Sequence, residues 1–464
     1  MANNKIYFEI SERKMILLLF DVFFVLLVLY LVGTFFDVQY LKEVVSTQSC
    51  VLLFVVYLIF FGIVFEMYNL QVASNELQIL KSTLLTVSFT VLIYLLTPVF
   101  SPELPKNRLQ ILSFYTVVFL VLMSWRFFYV KYLASNRFLQ NALLICDENQ
   151  VAGLIQGIEN IDPHYRIIAY VAASFNTTEA DVGIPYIERV EVRDLLSFVK
   201  NNSVSEVVIA TKMTEGVDAD LYRQLIKVLE SGKIIREYIQ VYESKTQRIP
   251  VQYINMDFYR FFPFSRSNQN KLYLSVVRVI ELAISFIGIA IGALLLPLIW
   301  MCNLMGNKGS LFYHQERIGK DGIPFKILKL RTMVKNAENN RAVFSTPNDR
   351  RITRFGKFLR KTRIDEIPQF INVIKGDMAL IGPRPERPEF VNQIAANMPF
   401  YETRHIIKPG LTGWAQVNYS YGENIEDSLI KLQYDLYYIK HRSFYLDLNI
   451  TLKTITTVLF YRGQ

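Results

Sequence analysis

Four stretches in the first third of the chain, roughly 15–36, 50–67, 79–100 and 109–130, are apolar over nearly their whole length. About 20 such residues are needed to cross ~30 Å of hydrocarbon, so each is expected to be a membrane-spanning helix. The first is too long, and too poor in small residues at a cleavage position, for a removable signal peptide. Asp21 falls near its expected cytoplasmic end, within reach of water. Arg13 and Lys14 precede the first span and Arg126, Lys131 and Arg137 close or follow the fourth, whereas the loop between the first and second spans carries only Lys42 and that between the third and fourth only Lys106 and Arg108. That bias places both ends inside, and an even number of crossings leaves everything after about residue 131 on the same side. One further apolar run, Leu282 to Asn303, carries no charge but contains Pro297. Proline removes an amide donor and clashes with the preceding turn, so two readings stand: a segment that enters one leaflet and turns back, or a fifth span with a tolerated proline.

Between 140 and 250 the period changes. Short β-rich runs (NALLIC, RIIAYVA, SEVVIAT) alternate with helical ones (ENQVAGLIQGIEN, DLYRQLIKVLESG), which predicts a Rossmann-like α/β domain with a parallel sheet. A dinucleotide site needs glycines in the turn after the first strand, but here that turn reads Cys146-Asp147-Glu148-Asn149-Gln150-Val151-Ala152-Gly153. Two acidic side chains stand where phosphate would lie. A structural, regulatory or oligomerising module is therefore expected, and it suggests a homodimer. The predicted order is four transmembrane helices (1–135), the degenerate Rossmann-like domain (136–245), an irregular linker with aromatic anchors (246–270) and a C-terminal domain (271–464).

Composition agrees with a chain that lives partly in lipid. Of 464 residues, 52% are apolar and only 20% charged, which excludes disorder and a wholly soluble globule. The three cysteines, Cys50, Cys146 and Cys302, are far apart and the four histidines are scattered, so neither a disulfide framework nor a zinc site is indicated. The net charge of +9 points to anionic surfaces or substrates.

The unusual polar clusters lie after residue 308. Arg317 stands before Ile318-Gly319, Lys329 and Arg331 lie in FKILKLRTM, Arg384 in IGPRPE and Lys408 in KPGLTGW. Guanidinium forks and glycine turns suit phosphate oxygens, so these five are candidate phosphate-binding residues. RRITRFGKFLRKTR (350–363), with seven basic residues among Ile352, Phe355, Phe358 and Leu359, predicts a helix with an apolar strip and a cationic face. A soluble amphipathic helix is the alternative. The attached spans make a lipid surface, not nucleic acid, its expected partner. Asp365-Glu366-Ile367-Pro368 follows, with Gly376 ending a short predicted helix. Asp365 is then either an N-cap or a carboxylate held beside Arg360, Arg363 and Glu366 to attack phosphorus. Mg2+, held by Asp365 and Glu366, is the natural co-reactant for a diphosphate substrate.

The ordered array Q-x-R-x-G, F-K-I-x-K-x-R-T-M, D-E-x-P-Q-x-x-N-V-x-K-G-D-M, G-P-R-P-E, K-P-G-L-T-G-W-A-Q-V-N and Y-D-L-Y-Y-I-K, spread over residues 271–464, resembles the bacterial sugar transferases that are monotopic phosphoglycosyl transferases. The whole chain is similar to their large members, the undecaprenyl-phosphate hexose-1-phosphate transferases of exopolysaccharide and O-antigen synthesis. Tyr419-Ser420-Tyr421-Gly422 is similar to the exopolysaccharide-associated branch. The resemblance implies a monotopic α/β catalytic domain, with a re-entrant helix over about 272–305 broken at Pro297, on the cytoplasmic face of the bacterial inner membrane. It implies Asp365 as the nucleophile that takes a sugar-phosphate from a UDP-sugar (glucose or galactose), releases UMP and passes the group to undecaprenyl phosphate. It further implies Glu366 as the catalytic partner, Mg2+ at this pair, and Lys329, Arg360 and Arg384 as residues that hold phosphates or organise the site. Leu296 and Lys408 depart from the serine and arginine common in relatives. An inactive membrane scaffold of polysaccharide assembly is the alternative from another class, and a nucleotide-sugar-modifying Rossmann enzyme a third. The intact Asp365-Glu366 pair opposes the scaffold and the missing glycines oppose the third.

Overall fold

The computed structural model describes residues 10–68, 76–98, 100–133, 140–159, 165–172, 187–210, 219–253, 265–307, 309–334, 349–398, 400–419 and 425–459. The aromatic stretch 254–264 of the expected linker, Arg137 and motif positions 420–422 lie outside the described residues, as does the side chain of Arg13. The chain forms two compact units, Met1–Val241 and Tyr242–Gln464.

In the first unit the apolar stretches form α1 (Ile10–Phe35), α3 (Gln48–Val64), α4 (Glu76–Leu95) and α5 (Leu109–Phe128), with a short α2 (Gln39–Ser46) before α3. Lys14–Phe35 and Leu109–Lys131 are long and apolar enough to cross a membrane alone. The second stretch qualifies only as α2 plus α3, a pair bent by 90°, and the third offers the shorter apolar helix Ile79–Leu95. Helix α1 packs on α5, α5 on α4 and α4 on α3. Their shared core includes Leu17, Leu29, Phe54, Leu58, Val87, Phe114 and Leu122. Asp21 departs from expectation: it does not reach water but is fully buried in an ion pair with Arg126, which is also buried. A carboxylate is tolerated among apolar helices when an opposite charge meets it.

The α/β part is a five-stranded, all-parallel sheet in the order β3-β2-β1-β4-β5, with β1 Gln140–Cys146, β2 Tyr165–Ala172, β3 Glu188–Arg189, β4 Glu206–Ile209 and β5 Ile234–Glu237. This reproduces the first five positions of the 3-2-1-4-5-6 order of a doubly wound dinucleotide-binding sheet. Helices α6 (Val151–Glu159), α7 (Leu195–Asn201) and α8 (Ala219–Glu230) complete it. In the turn after β1, Glu148 is buried and paired at 2.8 Å with Arg189 of β3. An internal ion pair therefore sits at the first turn, where a phosphate-binding relative leaves bare glycine amides.

The unit boundary falls in α9 (Tyr238–Thr246). In the second unit, residues assigned to the linker are bonded to the C-terminal helices. The Ile249 amide donates to the Gln433 carbonyl at 3.1 Å, Trp414 Nε1 to the Gln247 carbonyl at 3.2 Å, and Asn268 Nδ2 to the Ile439 carbonyl at 2.8 Å. Helix α10 (Lys271–Gly306) runs through Pro297 without interruption, so the proline does not end the helix. Its Glu281, Ser285, Ile299 and Asn303 are buried, whereas Ile287, Leu294, Leu298 and Met301 are exposed. It leads into an antiparallel hairpin, β6 (Phe312–Ile318) and β7 (Pro324–Leu330), in which Tyr313 lies opposite Lys329. Then come α11 (Arg354–Lys361), a 3-10 turn (Ile364–Gln369), α12 (Phe370–Lys375), β8 (Ala379–Ile381) parallel to β9 (Gly410–Thr412), α13 (Pro388–Asn397), α14 (Trp414–Asn418), α15 (Ile425–His441) and α16 (Phe444–Leu459).

Candidate active site

The turn carrying Asp365 and Glu366 starts at Arg363, whose backbone is left-handed (φ +59°), and continues into α12, which ends at Gly376 with φ +90°. Only glycine adopts that last conformation without strain. The short helix expected here is present, but Asp365 does not cap it. Asp365 is 7% exposed and its Oδ1 has no hydrogen-bond partner among the described residues. Leaving a buried carboxylate oxygen unpaired costs about 1–3 kcal/mol, a cost folding alone gives no reason to carry.

Its neighbour is the opposite case. Glu366 Oε1 lies 3.0 Å from Arg384 Nη2, 3.4 Å from Arg363 Nη1 and 3.6 Å from Lys329 Nζ. Burial pushes both carboxyl pKa values up. For Asp365 burial, reinforced by the charge of Glu366, outweighs Lys329, Arg360 and Arg363, and its pKa ends above the ordinary range. For Glu366 the three cations outweigh burial and its pKa ends well below that range. Burial also pushes Lys329 down to about 8, against the pull of Glu366 and with help from Arg384 and Arg317. One carboxylate is thus neutralised by surrounding cations, and the other keeps its Oδ1 unpaired beside them. That is the arrangement of a nucleophile or a hard-metal ligand next to a site for negative oxygen.

The scaffold explains why these groups converge. Asn372 of α12 accepts from the Leu328 amide at 3.0 Å and donates to the Lys326 carbonyl at 2.8 Å, tying the turn to the strand that carries Lys329. Arg404 Nη2 donates to the Arg384 carbonyl, and the same guanidinium is paired with Asp435 and Tyr401. Arg360 Nε donates to Thr332 Oγ1 at 2.9 Å, and its charge acts on Asp365.

Lys329, Arg360 and Arg384 therefore gather at Asp365 and Glu366. The other three phosphate-binding candidates have their described contacts outside the carboxylate pair. Arg317 donates to Gln315 Oε1 at 2.6 Å and to the Pro385 carbonyl at 3.1 Å, and lies 3.4 Å from Glu386, bracing the loop that holds Arg384. Buried Arg331 donates to the Asn307 carbonyl and packs against Gly309. Lys408 sits beside Gly376, where burial and then the charge of Arg278 lower its pKa and Glu281 opposes them. Sequence reasoning missed Asn372, Arg404 and Asp435. Asn372 lies in the quoted D-E-x-P-Q-x-x-N motif and Asp435 in the quoted Y-D-L-Y-Y-I-K motif, whereas Arg404 lies in none and no pattern joins it to Asp435, 31 residues on.

Among the described residues no cluster of three or more His, Cys, Asp or Glu side chains is placed to hold a metal. The two carboxylates still fit a magnesium ion, which commonly takes one or two protein carboxylates and completes its shell with water and substrate phosphates. The unpaired Oδ1 of Asp365 is a hard oxygen donor of that kind.

The model of the bacterial sugar transferase family matches residues 272–461. Over 220 residues the chain is 39% identical to the UDP-N-acetylgalactosamine-undecaprenyl-phosphate N-acetylgalactosaminephosphotransferase of Aeromonas hydrophila, covering 47% of this chain and 51% of that protein. It is 33% identical over 281 residues to a UDP-glucose:undecaprenyl-phosphate glucose-1-phosphate transferase of Xanthomonas campestris pv. campestris, covering 57% and 55%. The match thus spans about half the length of each of these two relatives. Against a putative undecaprenyl-phosphate N-acetylgalactosaminyl 1-phosphate transferase of Bacillus subtilis (strain 168) it is 43% identical over 141 residues, 30% of this chain but 79% of the relative. From the motif array, the site geometry and this coverage, the chain belongs to the bacterial sugar transferase family.

Proposed function

We propose that the protein transfers a hexose-1-phosphate from a UDP-sugar to undecaprenyl phosphate at a bacterial inner membrane, through a covalent intermediate on Asp365. The observation that carries this reading is the asymmetry of the carboxylate pair: Glu366 is neutralised by Arg384, Arg363 and Lys329, while Asp365 Oδ1 is buried and unpaired. In the first half-reaction an Asp365 oxygen attacks the β-phosphorus of the donor. The bond from that phosphorus to the bridging oxygen breaks, UMP leaves, and a sugar-phosphoryl ester of the carboxylate remains. In the second, a phosphate oxygen of the lipid attacks the same phosphorus and the carboxylate leaves. Splitting the transfer removes the need to align a water-soluble donor and a membrane-held acceptor at once. Lys329, Arg360 and Arg384 bind the donor phosphates, and Glu366 holds Lys329 and Arg384 in place. Mg2+ held by Asp365 and Glu366 would neutralise charge on the diphosphate.

Helix α10, continuous through Pro297 and long and apolar enough to cross a membrane, is read instead as a half-immersed element that keeps the site at the cytoplasmic surface. Buried positions recur along it from Glu281 to Asn303, and Arg278 near its start donates to the Val373 and Ile374 carbonyls at 2.8 and 2.9 Å. A helix covered by a polar domain along one face, with apolar side chains on the other, suits half-immersion better than a free crossing. The relatives' names differ in sugar, N-acetylgalactosamine in one and glucose in another, so the donor class is a UDP-hexose, with glucose or galactose as our first choice. The degenerate nucleotide fold of the first unit is read as a homodimer module.

The test is purified enzyme in lipid, supplied with a panel of UDP-sugars with and without undecaprenyl phosphate. Lipid-dependent UMP release that vanishes in Asp365→Asn, and an Asp365 adduct by mass spectrometry with donor alone, are expected. Absence of the adduct, or full activity in Asp365→Asn, overturns the reading.

A further inference from the structure

The other side of the Asp365 turn is seated in a notch of α10. Buried positions on this helix, Glu281, Ser285, Ile299 and Asn303, recur at helical spacing, and Gly288 and Gly292 continue the same face. A Cβ at Gly288 would lie 2.4 Å from Phe370 Cε2 and 2.5 Å from its Cδ2, and one at Gly292 would lie 2.7 Å from Ile367 Cγ2. The ring and the branched methyl are stiff groups, so a methyl on the helix displaces the turn and is not absorbed by a flexible side chain. Ile367 and Phe370 are three residues apart, on the segment that also presents Asp365 and Glu366 to the cations. The turn is therefore held on one side by the ion pairs of Glu366 and on the other by the two bare glycine positions. Away from the notch the same helix exposes Ile287, Ile291, Leu294 and Leu298, a lipid-facing surface. Glycine is the poorer helix former, so its presence twice in the interior of a long helix calls for a packing reason, and the close approach supplies one.

Resting on the transferase reading above, we propose that Gly288 and Gly292 are positioning residues: they set the depth of the Asp365 turn against the lipid-facing helix and thereby govern the half-reaction with the lipid acceptor. The donor half-reaction depends on Lys329, Arg384 and Arg360, which reach the turn from β7, the 382–386 loop and α11 and not from α10. The acceptor arrives from the bilayer along α10. Lys329 and Arg384 are long side chains tied to Glu366 of the same turn, so they follow a small displacement and keep the donor phosphates aligned with Asp365, whereas a lipid phosphate placed from the α10 side is misaligned.

The experiment uses the full chain in lipid nanodiscs and compares wild type with Gly288→Ala, Gly292→Ala and the pair Gly292→Ala/Ile367→Ala. Two quantities are read: the single-turnover burst of UMP with donor alone, and steady UMP release with undecaprenyl phosphate. In the glycine variants the burst is expected within about two-fold of wild type while lipid-dependent turnover falls about ten-fold or more, the scale set by misplacements below 1 Å. Removing Cγ2 in the double variant is expected to restore part of the turnover lost in Gly292→Ala. Unchanged turnover in both glycine variants, or burst and turnover falling by the same factor, overturns the proposal. A wild-type enzyme that releases no UMP overturns the transferase reading itself, an outcome distinct from either.

Discussion

Arg404 Nη2 donates to the main-chain carbonyl of Arg384 at 3.0 Å and to Asp435 Oδ2 at 2.7 Å, while its Nη1 donates to Tyr401 Oη at 2.7 Å. A buried guanidinium thus fixes the backbone of the residue whose own guanidinium meets Glu366. Lysine keeps the charge at that position but cannot reach three acceptors from one planar fork. Arg404→Lys is therefore expected to fold, and to raise the donor KM about ten-fold, the equivalent of one charged hydrogen bond. Arg404→Ala strands Asp435 in the interior and is expected to lose about 3–5 kcal/mol of stability. Donor kinetics and melting in detergent check both, and an unaltered KM in Arg404→Lys removes Arg404 from the support of the site.

The carboxylate pair predicts a pH profile with a sign at each limb. Asp365, raised to about 6 by burial and by Glu366, is a nucleophile only above that value. Lys329, lowered to about 8 by burial, binds phosphate as a cation only below it. Donor kcat/KM at fixed magnesium is therefore expected to be bell-shaped between these limits. Glu366→Gln removes a negative charge from both neighbours, so both limbs should move to lower pH while activity falls. Limbs that stay in place in Glu366→Gln contradict the assignment.

His405 gives a stability prediction. Burial and then Arg404 lower its pKa from the ordinary 6.5 to about 4 in the folded protein. A depressed folded value means stability that is fully present above about 6.5 and lost as pH falls toward 4. Thermal melting of wild type minus His405→Phe, followed between these values, should show the wild type losing more stability on acidification. Parallel curves count against it.

In the N-terminal unit, Asp21 and Arg126 are both buried and paired. Asp21→Asn or Arg126→Gln leaves a single charge among apolar helices, and each is expected to cost about 3–5 kcal/mol and lower the amount of protein recovered in membranes. The exchange Asp21→Arg/Arg126→Asp should recover part of that loss. Equal recovery of all variants from membranes would show that the pair contributes little.

The four apolar stretches, the parallel α/β alternation and the Asp365-Glu366 turn ending at Gly376 were legible along the chain, because each is a local pattern of residue spacing or turn chemistry. The fate of individual charged groups was not. Asp21 and Arg126, 105 residues apart, meet only because α1 packs on α5. Of the six cationic positions marked along the chain for phosphate, Lys329, Arg360 and Arg384 gather at the carboxylates, whereas Arg317 pairs with Glu386 next to them, Arg331 donates to the Asn307 carbonyl and Lys408 sits beside Gly376. Composition marks a cation as suited to phosphate, but which oxygen it meets depends on where the hairpin, the 382–386 loop and α12 are brought together. The sequence by itself determined that this chain enters a membrane, carries a degenerate nucleotide fold and has a sugar transferase domain bearing the Asp365-Glu366 pair. The tertiary structure decided which carboxylate is neutralised and which stays unpaired, because that asymmetry comes from burial and from cations contributed by segments distant in sequence.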